Sequence, residues 1–221
     1  MALFVVLSVF SGLKEFSLSF TNEIDPDLKA TPTLGKSFFV TPKQDQEIKK
    51  IAGIASFSKI IEERVLFTFA DKQEVTYLKG VDTQFTQVNA IEKKLYNGQW
   101  LQPNTYQVVV GYGMAQKFSM GLFDYNTTLE VMVPRPGKGT ITIPSEAFNQ
   151  TDLIPIGIYS ISEDLDSKYV FADLGLAQEL LEYQPNQISG IEFKLRPNAD
   201  EDAIIEQLQT IFKNKITLKN R

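Results

Sequence analysis

The sequence predicts an α+β protein of two subdomains, one discontinuous and built from two β-α-β units, the other inserted between them. Three observations predict this. A β-α-β pattern with a following hairpin lies over residues 36–78, and a second β-α-β pattern closes the chain over residues 191–218. Residues 80–186, between them, carry strands and helices of their own. Within that insert two apolar strands are joined by a connection, 134–153, much longer than the two to five residues a hairpin needs.

In chain order, residues 2–10, Ala-Leu-Phe-Val-Val-Leu-Ser-Val-Phe, are apolar apart from Ser8. A spanning helix needs about 20 such residues, and a signal peptide would show a basic start and a small-residue cleavage site. Two readings fit: a buried N-terminal helix, or the last turns of a transmembrane helix. The abrupt start directly after Met1 favours the second. Phe10, Leu13, Phe16 and Phe20 then recur at helical spacing, as in an amphipathic stalk leaving a membrane. Residues 22–32 are polar and read as a break around Asp25-Pro26-Asp27.

Residues 36–40 read as a strand. Thr41-Pro42-Lys43-Gln44 reads as a helix start, with a threonine cap, proline in the first turn and glutamine three residues after the cap. Ile48, Ile51, Ala52 and Ala55 would form that helix's apolar face. Val65, Phe67 and Phe69 alternate as a strand, residues 70–73 form a turn, and residues 74–78 return. In the insert, residues 86–96 read as a helix on Val88, Ile91 and Leu95, 107–110 as a buried strand, and 111–120 as a turn into a short helix. Leu129, Val131 and Val133 mark one strand of the long connection; Ile154, Ile156, Ile158 and Ile161 mark the other. Residues 169–171 are a further strand, and Leu174, Ala177, Leu180 and Leu181 a helix face. The closing unit alternates Ile191, Phe193 and Leu195, places a second capping box at Asn198 with Glu201, and carries a helix face on Ala203, Ile204, Leu208, Ile211 and Phe212. A last strand spans residues 215–218.

Composition removes several function classes. A net charge of −5 and a pI near 4.9 argue against a non-specific nucleic-acid binder. Cysteine and histidine are both absent, so no disulfide framework, cysteine metal site, Ser-His-Asp triad or histidine-ligated metal exists. Gly111-Tyr112-Gly113 follows a strand and precedes a helix, but Gln116 occupies the third glycine position of a dinucleotide loop, so a tight turn is the better reading. Gly137-Lys138-Gly139-Thr140 lacks the spacing and the helix of a phosphate loop. Glu163-Asp164-Leu165-Asp166 reads as a solvated acidic turn before it reads as a cation site. No nucleophile has a base beside it, and the chain is expected to be non-catalytic, with no cofactor and no metal.

The connection 134–153 is the candidate functional segment. Pro134-Arg135-Pro136 is stiff, because proline fixes φ and restrains its predecessor. Residues 140–143, Thr-Ile-Thr-Ile, read as a short strand stopped by Pro144. A projecting hairpin offers a partner its backbone edge, and stiffening lowers the ordering cost on binding. Arg135 and Lys138 would present charge to an acidic rim, and Ile141, Ile143 and Phe148 would supply apolar anchors.

Several ordered segments carry a family resemblance. Tyr77-Leu78-Lys79-Gly80-Val81-Asp82 is similar to a "hydrophobic–x–Gly–Val–Asp/Asn" opening of an insert, and Val108 through Ala115 to a "VVLGxxLA" segment. Leu129 through Pro134 and Ile154 through Tyr159 flank the excursion. Ala177-Gln178-Glu179-Leu180-Leu181 resembles an "AQxLL" helix, and Ile188-Ser189-Gly190-Ile191-Glu192 an "ISGIEI" return strand. Together they resemble the extracytoplasmic domain of type VII ABC transporter permeases, the MacB-like and FtsX-like family that includes the lipoprotein-releasing LolC/LolE-like permeases. The resemblance implies the end of the first transmembrane helix and a stalk at 1–23, a Porter-like subdomain at 24–79 plus 187–221, and a Sabre-like subdomain at 80–186 with a hook at 134–153. It implies a domain in the periplasm, anchored in a bacterial inner membrane. The implied partners are an ABC ATPase subunit, a second permease copy or paralogue, and a periplasmic lipoprotein carrier recruited by Arg135, Pro136, Lys138, Ile141, Ile143, Pro144 and Phe148. A module that recruits a cell-wall hydrolase, as in FtsX-like permeases, or a MacB-like efflux domain are the alternatives. The hook's own residues match no family motif, so its contacts rest on residue chemistry.

Overall fold

The computed structural model of the chain describes residues 25–122, 127–135 and 147–220. Its first strand, β1, is Leu28–Pro32, inside the stretch whose polar composition suggested a break. Leu28 and Ala30 are fully buried. Lys29, between them, is covered through an ion pair with Glu62, and that is why the strand is hard to see in the composition. Of the strand expected at 36–40, only Phe38–Phe39 is a strand, β2. Helix α1, Pro42–Lys49, starts as expected: Thr41 accepts from the Gln44 backbone, and the Gln44 side chain accepts from the Thr41 backbone. It stops earlier than expected. Ala52 and Ala55 are exposed, and Ala55 already belongs to β3, Ile54–Phe69.

This 16-residue strand is the spine of the fold. Its first ten residues carry Ser56, Ser58, Lys59, Glu62 and Glu63 among apolar ones, which masked it in the sequence. A two-residue turn, with Ala70 in the left-handed region at φ 52°, leads into β4, Lys72–Val81. β3 and β4 then pair along ten successive residue pairs.

The expected helix at 86–96 is two separate turns, α2 at Phe85–Val88 and a 3-10 turn at Ile91–Lys94, followed by β5, Leu95–Gly98. Asn89 separates them: its side-chain oxygen accepts from the Ile91 N–H and stands in for a helical carbonyl. The next elements are β6 (Gln107–Gly111), α3 (Tyr112–Phe118), β7 (Leu129–Pro134) and β8 (Phe148–Tyr159). They are followed by α4 (Glu163–Asp166), β9 (Tyr169–Asp173), α5 (Leu174–Leu180) and β10 (Gln187–Ile188). The chain closes with β11 (Gly190–Leu195), α6 (Glu201–Ile211) and β12 (Ile216–Asn220). The cap of α6 is Asp200, which accepts from the Ala203 N–H, and not Asn198, which turns the chain at φ 60°. The polar run Asn198-Ala199-Asp200 offers two capping side chains, and only the backbone path selects between them.

Two sheet arrangements share β3. Its first half pairs antiparallel with β11, which pairs with β1, which pairs with β12. With α1 joining β1 toward β3 and α6 joining β11 to β12, this is the split β-α-β arrangement, strand order 4-1-3-2. The two β-α-β units therefore share a sheet, although the opening strand of the first is β1. The second half of β3 pairs with β4 on one edge and β7 on the other. β7 pairs with β8, β8 with β6, β6 with β9, and β9 with β4. These pairings close a ring of six strands, so the large sheet curls around a core. Phe67, Leu78, Val108, Val110, Leu129, Val131 and Leu153 fill the main core. A second cluster packs Phe85 against Trp100 and Phe171 around Ile60, Val109 and Tyr159.

Candidate functional site

The two strands that flank the candidate segment, β7 and β8, pair as an antiparallel hairpin. β7 and β8 pair from Leu129↔Leu153 to Pro134↔Phe148. Phe148–Leu153, expected as part of the excursion, is thus already the first half of β8, and the connection proper lies between Arg135 and Ala147. The Arg135 N–H donates to the Ala147 carbonyl at 2.9 Å, which continues the ladder to the last described residues. Pro136, Lys138, Ile141, Ile143 and Pro144 lie outside the described residues, as does the short strand expected at 140–143. The apolar N-terminal run and its stalk also lie outside them. Among the described residues no helix is long and apolar enough to cross a membrane.

At its base the hairpin is anchored on its β7 strand. Leu129, Val131 and Val133 are buried, and β7 is stitched to β3 through Leu66–Thr68. Opposite them, Phe148 is 41% exposed. Hydrogen bonding at Arg135–Ala147 sets the alternation of the ladder: Val133/Asn149 and Val131/Thr151 are the bonded pairs. The main-chain groups of Phe148, Gln150 and Asp152 consequently point away from β7. Among the described residues no strand pairs with that edge. The upper hairpin therefore presents an open strand edge beside an exposed aromatic ring.

Arg135 is held in place. Its Nε donates to Asn149 Oδ1 at 2.7 Å, and Asn149 Nδ2 donates in turn to the Leu180 carbonyl and to Glu182 Oε1, each at 3.0 Å. This chain of bonds ties the hairpin to the end of α5. The open edge, Tyr106, Leu176 and Glu179 line a groove of about 390 Å³. The Tyr106 hydroxyl donates to Glu179, and that bond raises the phenol's pKa. Of the two described residues nominated from sequence, Arg135 and Phe148, both flank this groove. Asn149 and Tyr106 were not nominated; neither has a sequence signal, because their roles arise from the approach of α5 and of the loop before β6.

The other motifs have structural roles. Gly111 sits where an added Cβ would overlap the Asp166 carbonyl, so this glycine lets β6 and α4 touch. Asp166 is buried and accepts from the Ser160 hydroxyl and the Ile161 N–H; burial pushes its carboxyl pKa up in spite of these bonds. The acidic turn is one helical turn capped by Ser162. Asp82 accepts from the Ser58 hydroxyl at 2.7 Å, the Lys59 N–H at 3.0 Å and the Gln84 N–H at 3.0 Å. It pins the exit of β4 to β3, and burial likewise raises its carboxyl pKa. Among the described residues no group of three or more acidic side chains is placed to hold a metal ion.

Known proteins place this geometry. The fold is similar to the periplasmic region of MacB from Actinobacillus actinomycetemcomitans, with a TM-score of 0.61 at 13% identity, covering 90% of this chain and 91% of that one. It is also similar to the extracellular domain of the noncanonic ABC-type transporter YknZ from Gram-positive bacteria, with a TM-score of 0.61 at 9% identity over 88% and 99% of the two chains. At such identities the likeness speaks for the fold alone. In sequence the chain is 28% identical over 186 residues to the lipoprotein-releasing system transmembrane protein LolE of Haemophilus influenzae. That alignment covers 80% of this chain and 39% of the relative, so the chain spans about two fifths of the protein it matches. The MacB-like periplasmic core domain matches residues 1–211, nearly the whole length, and the chain belongs to that family.

Proposed function

We propose that the chain is the extracytoplasmic domain of an ABC permease of a lipoprotein-releasing system, and that its β7–β8 hairpin is the hook that recruits a periplasmic lipoprotein carrier. The hairpin carries this reading: its ladder runs to Arg135–Ala147, an open strand edge and Phe148 lie along it, and eleven further residues of sequence, 136–146, connect its two strands. The relative named for lipoprotein release supports the choice among permease types. In this reading the ATPase is a separate subunit in the cytoplasm and the domain itself is non-catalytic, coupling ATP hydrolysis to lipoprotein extraction. Residues 24–79 with 187–221 act as the Porter-like part and 80–186 as the Sabre-like part. The anchoring membrane is the bacterial inner membrane, and a second permease copy or paralogue completes the transporter.

Strand addition along Phe148–Asp152 would supply main-chain bonds, Phe148 an apolar anchor, and Arg135 and Lys138 charge for an acidic rim. The test replaces residues 136–146 by Asn-Gly, which closes a two-residue hairpin between the bonded pair Arg135 and Ala147. The variant is expected to melt at the parent's temperature and to lose binding to a purified lipoprotein carrier in calorimetry. Arg135→Glu should act on association rate and its salt dependence, and Phe148→Ala on dissociation, at a cost of about 2 kcal/mol. A shortened hairpin that still binds the carrier like the parent refutes the recruiting role.

A further inference from the structure

A second groove lies away from the hairpin, between the loop that follows β1, the start of α1 and the C-terminal end of α6. It measures about 730 Å³. Its floor is apolar: Phe38 packs edge-to-face on Phe212 at 5.7 Å. Its lips carry Leu34, 87% exposed, and Phe39, 52% exposed, large apolar side chains that folding leaves in water. Scattered surface leucines need no explanation, but two such residues beside one groove do.

Backbone geometry adds a second feature. The Val40 N–H donates to the Asn186 carbonyl, so the bonded pairs of the small β2–β10 ladder are Val40/Asn186 and Phe38/Ile188. The N–H and C=O of Phe39 therefore point away from β10. Neither β10 residue lines the groove, and among the described residues no other strand pairs with β2. The outward-facing N–H and C=O of Phe39 thus lie beside an apolar floor.

Charge is the third feature. In a chain of net charge −5, Lys43, Lys213 and Lys215 stand around this groove, against Glu47 alone. Glu47 is 3.9 Å from Lys43; Lys213 and Lys215 make no ion pair among the described residues. Cations after a helix C-terminus offset the helix dipole, which accounts for part of their presence. The chain leaves α6 through Lys213 and Asn214 at φ 52° and 57°, whose N–H groups donate to the Thr210 and Gln209 carbonyls as a common helix stop, and Lys213 and Lys215 are exposed beside the groove.

The geometry points to a docking site for an extended acidic segment of a partner protein, which adds to the Phe39 edge of β2, seats an apolar side chain on Phe38 and Phe212, and pairs with Lys213 and Lys215. Outward-facing main-chain groups suit a polypeptide better than an anionic amphiphile, which has no backbone to bond to them. Position agrees. Described residues Asp25 and Asn220 flank the Leu28 end of β1, whereas the groove lies at the Pro32 end, about 13 Å further along at the rise of a strand. A bilayer holding the N-terminal end of the chain would lie on the far side; this last point alone rests on the permease reading above.

The test uses the 221-residue chain and a fluorescein-labelled peptide of five Glu-Val repeats, read by anisotropy. Saturable, salt-sensitive binding is expected. A Lys-Val repeat should not bind, and neither should the Glu-Val peptide N-methylated at alternate residues. The double variant Lys213→Glu/Lys215→Glu, and separately Phe39→Ser, should weaken binding about tenfold or more. Leu34→Ser, at a position too exposed to disturb folding, should weaken it with an unchanged melting curve. The hairpin-shortened variant should bind the peptide like the parent, which separates this site from the carrier site. Absence of peptide binding, equal affinity of the variants and the parent, or perturbation of the Phe39 and Lys213 amide resonances by sodium dodecanoate but not by the peptide each overturns the proposal.

Discussion

Replacing Lys79 by Met should destabilise the domain by about 3 kcal/mol, and the reason lies where the two sheet arrangements meet. Lys79 on β4 donates to Glu192 on β11 at 2.7 Å. Glu192 is 1% exposed, and its second oxygen, Oε2, is buried without a hydrogen-bond partner among the described residues. Lys29 of β1 stands 3.7 Å from the same Oε1. The Lys79 ammonium also lies over the rings of Phe85 and Tyr169, at 5.1 and 5.2 Å. Methionine keeps the volume and the apolar stem but leaves Glu192 charged and buried. At an effective dielectric near 20, the lost attraction at 2.7 Å is about 6 kcal/mol. Removing one partner of a buried pair costs about 3–5 kcal/mol overall, and the surviving Lys29 contact places this case at the lower end. For a chain of this length that corresponds to a melting temperature lower by roughly 6–12 °C. Urea unfolding followed by circular dichroism measures it. The double variant Lys79→Met/Glu192→Leu removes the orphaned charge, while Lys29 keeps Glu62 at 2.7 Å, and it should recover most of the loss. A single-variant loss below about 1 kcal/mol, or a double variant no better than the single, would refute the reasoning.

Other expectations follow from neighbouring residues. Burial works against the charge of Glu62, but Lys29 and Lys79 beside it prevail and hold its carboxyl below the ordinary value of 4.5. A depressed carboxyl stabilises the fold above its unfolded pKa, and that stability is lost as pH falls through the folded value. The unfolding free-energy gap between the parent and Glu62→Gln should therefore be constant near pH 7 and shrink below about pH 4.5; a gap that widens on acidification contradicts this. Gly111→Ala forces a Cβ into the Asp166 carbonyl and should cost about 2–3 kcal/mol, read as a lower urea midpoint; a neutral outcome would mean that α4 can shift freely. Asp200→Ala should cost about 1 kcal/mol as a lost helix cap, and Asn198→Ala should leave the α6 cap intact while straining a backbone at φ 60°, so the two differ in helix content at equal denaturant by circular dichroism.

The sequence by itself determined whatever depends on neighbours along the chain. Thr41-Pro42-Lys43-Gln44 specifies a helix start through local hydrogen bonds, and Leu129, Val131 and Val133 specify a half-buried strand through alternation. The absence of cysteine and histidine removed whole classes of chemistry, and six ordered segments carried the family. Tertiary structure decided what depends on partners distant in sequence. β1 and the middle of β3 hold as strands where composition suggested a loop, because Lys29, Glu62, Lys79 and Glu192 neutralise one another between β1, β3, β4 and β11 and so can be buried. Residues 86–96 have helical spacing, yet Asn89 caps a break in them and Leu95–Gly98 is captured by β8. The two strands that flank the excursion could be read from the alternation of Leu129, Val131 and Val133 and from the apolar run at Ile154, Ile156 and Ile158. The open edge of β8 could not, because which main-chain groups face outward follows from the register with β7, and register is a property of two strands together.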